Sequence, residues 1–129
     1  LELLFLYPVL MSKKTLVVGA SPNPARYSYK AVQRLRQKGH ETYAFGFRNG
    51  EIEDVQISKD WPSESFDTIT LYLNPTRQIE YAERILKINP KRVIFNPGTE
   101  NPEFQDQLTH EGVEVEVACT LVMLGIGNY

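Results

Sequence analysis

The chain has 129 residues, a length typical of one domain, and its 42% hydrophobic and 23% charged residues are ordinary for a globular protein. The formal net charge of -2 gives no electrostatic reason to expect a nucleic-acid partner. The single cysteine excludes an internal disulfide and paired-cysteine zinc sites, and His40 and His110 lie far apart, so we expect no metal site. A lone cysteine fits a reducing compartment, and we expect a cytoplasmic protein.

The first ten residues, LELLFLYPVL, form an apolar segment at the start of the chain. They are too few to span a bilayer, and no basic residue precedes them as it would in a signal peptide. The sequence MSKKT from Met11 onward is typical of a natural start. We therefore divide the chain into an apolar extension, residues 1–10, and one domain, residues 11–129. The extension is expected to bury its side chains against its own domain or, in a homo-oligomer, against a second copy of the chain.

Strand-like and helix-like segments alternate along the domain. Five short runs rich in β-branched and aromatic residues predict strands at residues 15–19, 41–47, 65–73, 91–96 and 113–119. Apolar residues at helical spacing predict helices over residues 29–38, 74–88 and 101–111, and a tail over 120–129 that is helical at first. Residues 49–57, NGEIEDVQI, are expected to form a loop, with room for a small extra strand.

Helix boundaries are marked by capping residues. Ser28, Asn74 and Asn101 precede or open the predicted helices and can accept hydrogen bonds from free backbone amides. Proline follows each of the two asparagines, which suits the first helical position. Gly39 and Gly112 follow the first and third predicted helices and are typical of helix ends.

Alternating strands and helices predict a parallel sheet with right-handed crossovers. We expect an α/β, Rossmann-like, doubly wound three-layer sandwich whose five-stranded parallel sheet has the strand order 3-2-1-4-5. Ligands of such sheets bind beyond the carboxyl ends of the strands where the strand order reverses, here between strands 1 and 4. The expected crevice therefore has one lip after each of these two strands.

The lip after strand 1 carries small and polar residues that suit an anionic ligand. Gly19 and Ala20 allow close backbone approach, the Ser21 hydroxyl can hydrogen-bond, and the following helix presents free amides and the positive end of its dipole. Arg26 and Lys30 add positive charge nearby. An ordinary strand-to-helix turn, in which the glycine only relieves crowding, explains the same residues about as well. The expected lips are Gly19, Ala20, Ser21, Pro22 and Asn23 after strand 1, and Asn96, Pro97, Gly98 and Thr99 after strand 4.

The loop after strand 1 does not match the dinucleotide fingerprint G-x-G-x-x-G. Ser21 and Pro24 stand at the second and third glycine positions, and strand 2 ends without the acidic residue that holds an NAD ribose. Arg48 follows instead, and an arginine there suits a ribose that carries an extra phosphate, as in NADP or coenzyme A. An ordinary solvent-exposed loop arginine is the alternative interpretation, with equal weight.

No residue pattern indicates catalysis. Ser21 does not lie in a G-x-S-x-G elbow, because Asn23 stands where the second glycine would be. Cys119 lies near the carboxyl end of strand 5, where it either faces the crevice or is buried as a structural thiol. Since no acid/base pair stands out, we expect a protein without catalytic residues of its own.

The segment VGASPNPARYSY, residues 18–29, resembles the opening of the small stand-alone CoA-binding domain proteins, sometimes called YccU-like. GEI at Gly50, NPGTENPEF at Asn96, and Cys119 match further landmarks of that family, so the similarity runs from about Thr15 to Cys119. The family resembles the nucleotide-binding domain of the succinyl-CoA synthetase alpha subunit. The resemblance implies a Rossmann-type fold that binds CoA or acyl-CoA with the phosphates over the first loop, and no established catalytic activity. The binding residues expected here are Gly19, Ala20, Ser21, Pro22, Asn23, Arg26, Tyr27, Ser28, Arg48, Asn74, Asn96, Pro97, Gly98, Thr99 and Cys119.

Three positions depart from the pattern of that family. Gly46-Phe47 replaces the Asn-Pro pair that is usual after strand 2, Leu73 stands where an arginine often ends strand 3, and Ala118 stands where an arginine often precedes the cysteine. Three other arginines are candidates to replace the lost contacts: Arg26, Arg48 and Arg77. Two further functions stay open, an NADP-binding oxidoreductase-like protein and an interaction protein that has lost its ligand.

Overall fold

The computed structural model describes residues 12–129, so the apolar extension, residues 1–10, and the expectations placed on it lie outside the described residues. Seven strands form one sheet. In chain order they are β1 (Thr15–Val18), β2 (Thr42–Phe45), β3 (Glu51–Ile52), β4 (Val55–Ser58), β5 (Thr68–Leu71), β6 (Arg92–Phe95) and β7 (Glu114–Val117). All strand pairs are parallel except β3 and β4, which form an antiparallel hairpin.

Five helices connect the strands or follow them. They are α1 (Tyr27–Gln37), α2 (Pro75–Gln78), α3 (Ala82–Ile88), α4 (Pro102–His110) and α5 (Thr120–Ile126). The α/β alternation and the mostly parallel Rossmann-like sheet confirm the fold class expected from the sequence. In the part of the chain that the structure describes, no helix has the length and apolar character needed to cross a membrane.

The strand count and the strand order differ from the prediction. The sheet has the order β3-β4-β2-β1-β5-β6-β7, with seven strands in place of five. The segment at residues 49–57, expected to be mainly a loop, supplies the hairpin of β3 and β4, and β4 takes the place beside β2 that was assigned to the segment at residues 65–73. That segment instead forms β5 and pairs with β1, because the edge of β2 is already occupied.

The hairpin is hidden in the sequence because its turn, Glu53-Asp54, has no glycine or asparagine at the left-handed position. Glu53 takes a φ of 55° at the turn, in the left-handed region that glycine or asparagine normally fills. The four residues of β4 alternate between buried and exposed, as on an edge of the sheet that is covered on one face. The partner strand β3 has only two residues, and a hairpin with so short a strand and an unusual turn gives a weak sequence signal.

Two of the three predicted N-caps are confirmed. The Asn74 side chain accepts from the Arg77 amide at 2.9 Å, and the Asn101 side chain accepts from the Phe104 amide at 3.2 Å. Ser28 is not an N-cap, since α1 already begins at Tyr27. The long helix predicted over residues 74–88 is two helices, α2 and α3, separated by residues 79–81.

The helices cover both faces of the sheet. On one face, Leu16, Ile69 and Phe95 of the strands pack with residues of α3 and α4, including Ile85 and Leu108. On the other face a second cluster joins strands to α1 and α5: Val17, Ala44, Ile57, Val32, Leu35 and Leu124. Burial of these two apolar clusters stabilises the three-layer arrangement and places the free carboxyl ends of the strands at one edge.

The side chain of Tyr129 packs against residues at the amino ends of the strands. Its hydroxyl lies 2.7 Å from the Thr15 hydroxyl, and its ring centroid lies 4.9 Å from that of His40 and 4.5 Å from the Arg92 guanidinium carbon. The Lys13 amide donates to Nδ1 of His40 at 2.9 Å. Burial, helped by the positive charges of Lys13 and Arg92, lowers the pKa of His40, so the folded state favours the neutral imidazole.

Candidate functional site

The strand order reverses between β1 and β5, and a cleft opens there, at the carboxyl ends of these strands. The cleft has a volume of about 630 Å³. The predicted position of the crevice, between β1 and the strand at residues 91–96, is wrong, because β5 lies between those two strands. The residues that line the observed cleft are Gly19, Ala20, Ser21, Pro22, Arg26, Tyr27, Ser28, Phe47, Arg48, Tyr72, Leu73, Asn74 and Arg77.

One wall of the cleft is the loop between β1 and α1. The amides of Gly19 and Ala20 both donate to the carbonyl oxygen of Phe45, at 2.8 and 2.9 Å, which ties the loop to the end of β2. Gly19 has a φ of 95°, and a Cβ there would lie 2.9 Å from Leu73 and 3.0 Å from the Tyr72 carbonyl. A larger residue at position 19 would therefore be strained and would push the two walls of the cleft apart.

The polar side chains of this loop hold its turn together. The Ser28 hydroxyl accepts from the Ser21 amide at 3.1 Å, the Ser21 hydroxyl accepts from the Asn23 amide at 3.1 Å, and the Asn23 side chain accepts from the Ala25 amide at 3.0 Å. Ser28 thus contributes to the loop rather than to the cap of α1. These bonds fix the backbone on which α1 begins, with its first amide groups directed toward the cleft end of the sheet.

The first turn of α1 leaves donors free. The amides of Tyr27, Ser28 and Tyr29 have no acceptor among residues 12–129. Together with the dipole of an 11-residue helix, they create positive potential beside the loop. The sequence-based expectation of free amides at this end of the helix holds, although the helix starts earlier than predicted.

The segment after β2 approaches the loop very closely. A Cβ on Gly46 would lie 2.2 Å from the carbonyl oxygen of Ala20, and a Cβ on Gly50 would lie 2.6 Å from Cβ of Pro22. Only glycine fits at both positions without movement of the backbone. This close approach places Phe47 and Arg48, the residues that follow Gly46, on the rim of the cleft.

The opposite wall is the segment from β5 to α2. Asn74 caps α2, and this cap orients the first turn so that Arg77 faces the cleft with its guanidinium carbon 4.6 Å from the centroid of the Phe47 ring. Leu73 is buried and packs behind Gly19. Gln78, fully buried, donates to the carbonyls of Leu73 at 2.8 Å and Thr99 at 2.7 Å, and so fixes this wall to the β6–α4 loop.

The charge of the cleft is positive. Among residues 12–129, the lining contains Arg26, Arg48 and Arg77 and no aspartate or glutamate. The three arginines are exposed, and none forms a salt bridge with a carboxylate in the described part of the chain. Tyr27 and Phe47 are also exposed, at 69% and 42%, and offer flat apolar surfaces beside these cations. The arrangement suits a ligand that has several negative charges and an apolar or planar part.

Tyr72 lines the floor of the cleft with its hydroxyl turned inward. That hydroxyl is buried and has no hydrogen-bond partner among residues 12–129. Burial, with the nearby Cys119 thiol as a second cause, raises the pKa of Tyr72, so the phenol stays neutral. Tyr72 therefore provides no charged base in this cleft.

The residues after β6 and β7 lie outside the lining of the cleft. The buried Asn96 amide donates to the Thr70 hydroxyl and to the Leu71 carbonyl at 2.9 Å, and its oxygen accepts from the Thr120 amide at 2.9 Å. These bonds join β6, β5 and α5. Four more of the expected binding residues also lie outside the cleft lining. They are Pro97, Gly98 and Thr99, which follow Asn96, and the half-buried Cys119, which follows β7.

Four residues that line the cleft were not among the expected binding residues: Phe47, Tyr72, Leu73 and Arg77. Leu73 was identified only as a departure from the family pattern, and Arg77 only as a candidate to replace a lost contact. The missing information was the pairing of β5 with β1, which brings the end of β5 to the crevice. The Asn-Pro signal of α2 would have indicated the second wall once that pairing was known. Ten of the fifteen expected residues line the cleft or its loop: Gly19, Ala20, Ser21, Pro22, Asn23, Arg26, Tyr27, Ser28, Arg48 and Asn74.

Comparison with known proteins identifies the class of this molecule. The model of the CoA binding domain family matches residues 13–125, and the chain belongs to that family. This confirms the resemblance to the small CoA-binding domain proteins. A search of curated proteins found no match.

Solved structures support the same fold. The crystal structure of an uncharacterized protein is 46% identical, covers 92% of this chain and 98% of its own, and superposes with a TM-score of 0.88. A hypothetical protein from Pyrococcus horikoshii OT3 is 24% identical, covers 90% of this chain and 84% of its own, and gives a TM-score of 0.74. A protein from Thermus thermophilus is 23% identical, covers 99% of this chain and 98% of its own, and gives a TM-score of 0.76.

Proposed function

We propose that this protein binds coenzyme A or an acyl-CoA in the cleft between β1 and β5, and that it carries out no chemistry on the ligand itself. The observation that carries the proposal is the charge of the cleft: in the part of the chain that the structure describes, three arginines and no carboxylate line a space that also receives the free amide end of α1. Membership of the CoA binding domain family supports the identity of the ligand.

The pyrophosphate is expected at the loop between β1 and α1. Gly19 and Ala20 keep the backbone clear of side chains there, and the amides of the first turn of α1 supply donors. Arg26 lies in the same wall and would contribute a charge-assisted hydrogen bond. The main contacts to the diphosphate are thus backbone donors, which depend on the shape of the loop rather than on a side chain.

Arg48 is the residue we assign to the phosphate on the ribose. It follows the end of β2, the position from which dinucleotide-binding folds contact the ribose. No acidic residue ends β2, so a ribose that bears a phosphate is favoured over an unmodified one. The exposed rings of Tyr27 and Phe47 would cover the apolar parts of the ligand.

The absence of catalysis belongs to the proposal for a chemical reason. Over residues 12–129, the lining includes no carboxylate, histidine or cysteine, and of its two phenols, Tyr27 is exposed and Tyr72 is held neutral by burial. A ligand in this cleft would meet donors and cations that bind it, without a group that moves a proton at neutral pH. We therefore assign binding, with a cytoplasmic location as an accompanying prediction.

Isothermal titration calorimetry with CoA, 3′-dephospho-CoA, NADP and NAD tests the proposal. We expect CoA to bind about ten-fold or more tightly than 3′-dephospho-CoA, since a hydrogen bond to a charged group contributes about 1.5–3 kcal/mol. The variant Arg48→Gln should weaken binding of CoA by that factor and leave 3′-dephospho-CoA unchanged. Lys38→Gln removes an equal charge at the far end of α1 and should change neither affinity.

Other outcomes of the same titration decide between the remaining functions. Binding of NADP without binding of CoA would support the oxidoreductase-like alternative. No heat with any of the four nucleotides would support an interaction protein that has lost its ligand. A homo-oligomer through residues 1–10 is a separate proposal, supported by the apolar sequence of that segment, and light scattering of the chain with and without those residues tests it.

A further inference from the structure

A second cavity, of about 500 Å³, lies away from the cleft, between α3 and the connection from β4 to β5. Its apolar side is formed by Trp61, Pro62 and Ile88. Trp61 and Ile88 are partly buried and pack on the core, so the indole is fixed by packing while part of its surface stays open. A fixed tryptophan at the edge of a cavity is a ready surface for an apolar or aromatic group.

The other side of this cavity is positive. Arg84 and Lys87, three residues apart on α3, are both exposed, and neither forms a salt bridge with another residue of the described chain. The carboxylate in the lining, Glu64, is already engaged, because its Oε1 accepts from Lys14 at 2.7 Å and from the Tyr43 hydroxyl at 3.1 Å. The guanidinium carbon of Arg84 lies 5.4 Å from the centroid of the Tyr81 ring, so this cation packs on an aromatic face while its charge is not neutralised by a carboxylate of the described chain.

One aromatic wall separates this cavity from the cleft. The Tyr81 ring stacks on Trp61 with centroids 5.7 Å apart, and it lies 5.2 Å from Phe45 and 6.1 Å from Phe47 of the cleft rim. Phe45 contacts Trp61 at 5.0 Å and Phe47 at 5.8 Å. Trp61 therefore borders its own cavity directly, whereas the rings of Tyr81 and Phe45 lie between it and Phe47 of the cleft rim.

From these contacts we propose that the cavity at Trp61 is a second ligand site, which takes a small amphipathic anion: an apolar or aromatic body against the indole and a carboxylate or similar group between Arg84 and Lys87. The proposal is independent of what the cleft binds. It follows from the juxtaposition of a fixed, partly open indole with two cations that form no salt bridge in the described chain, across a cavity large enough for a ligand of this size.

Trp61 provides its own probe, because the chain has one tryptophan. We would follow the indole N–H signal of Trp61 by nitrogen-proton correlation NMR during titration with phenylacetate, and compare 2-phenylethanol, which has a similar body without the charge. Phenylacetate should shift the signal to saturation, and the alcohol should bind about two- to five-fold more weakly, the amount expected for an exposed charge pair.

The double variant Arg84→Gln, Lys87→Gln should reduce the affinity for phenylacetate to that for the alcohol. Glutamine is a good helix former, and both positions are exposed, so α3 is expected to persist, which the dispersion of the remaining amide signals checks. The control Arg34→Gln, Lys38→Gln removes two charges from α1 and should leave the titration unchanged.

Three results would overturn the proposal. One is an indole signal that phenylacetate leaves unmoved at millimolar concentration. Another is equal affinity for phenylacetate and the alcohol, which would indicate a bare apolar patch. The third is a saturable shift that survives unchanged in the folded double variant, which would place the anion elsewhere.

Discussion

Gly46 lies very close to the backbone of the loop after β1, and a substitution at this glycine tests how tightly the two segments pack beside the cleft. In Gly46→Ala the new methyl group would start 2.2 Å from the Ala20 carbonyl oxygen and 3.0 Å from a methyl of Ile57. The first of these neighbours is backbone, so the loop after β1 must move to restore an ordinary contact. That movement would lengthen the hydrogen bonds from the Gly19 and Ala20 amides to Phe45.

The expected cost follows from overpacking at a site that cannot relax by rotating a side chain. Such substitutions destabilise by about 1–3 kcal/mol, and we expect the upper part of that range because the obstructing atom belongs to the backbone. For a domain of this size, each kcal/mol corresponds to about 3–5 °C in Tm. The same change should weaken CoA binding, since the displaced loop carries the backbone on which the phosphates are proposed to lie.

Urea unfolding followed by circular dichroism measures the effect, with Gly125→Ala as the matched control. Gly125 is an exposed position of α5, and a Cβ there has no atom within 4 Å. The control should raise the free energy of unfolding by about 0.5–1 kcal/mol, the helix-propensity difference between the two residues. If Gly46→Ala unfolds at the same urea concentration as the wild type, the close packing of the two walls is refuted.

Three further predictions concern the hydrogen bonds of the Asn96 side chain, the N-cap of α4 and the amino end of the sheet. Asn96→Ala should lower the free energy of unfolding by about 2–4 kcal/mol in the urea experiment, because it leaves the buried Thr120 amide without its partner and opens a small cavity. Asn101→Ala should cost about 1 kcal/mol through the lost cap of α4, measured in the same way, while Pro102→Ala as a control should cost less. Because the pKa of His40 is lowered in the folded state, stability should be full above the usual histidine pKa of about 6.5 and should fall as the pH drops below it. His40→Gln should flatten that decline in a series of urea titrations between neutral and acidic pH, and an unchanged slope would contradict the account of this cluster.

The sequence predicted the local structure well where local residues decide it. The N-caps at Asn74 and Asn101 bond backbone amides within the next three residues, so their signal is contained in four consecutive positions. The loop from Gly19 to Ser28 is likewise held by bonds between near neighbours, such as Ser21 with Asn23. For this reason, the first wall of the cleft and its residues were identifiable from the sequence.

The second wall was not identifiable, because it depends on which strand pairs with β1. The pairing of β1 with β5 joins Thr15 to Thr68 across more than fifty positions, and no local pattern specifies it. The choice was decided by the hairpin of β3 and β4, which occupies the free edge of β2 and leaves β5 to pair on the other side of β1. Its turn is Glu53-Asp54, with glutamate in place of the glycine or asparagine that usually occupies the left-handed position of a hairpin turn.

The sequence by itself determined the class of fold, the small and polar composition of the first loop and the family to which the chain belongs. Tertiary structure decided where the cleft lies and brought Arg77 and Phe47 together across it. It also buried Asn96 in hydrogen bonds that join β6 to β5, so this residue has a structural role. The physical reason is the range of the interactions. Caps, turns and helix ends are settled within a few residues, whereas strand order is settled by competition among distant segments for the same backbone donors and acceptors.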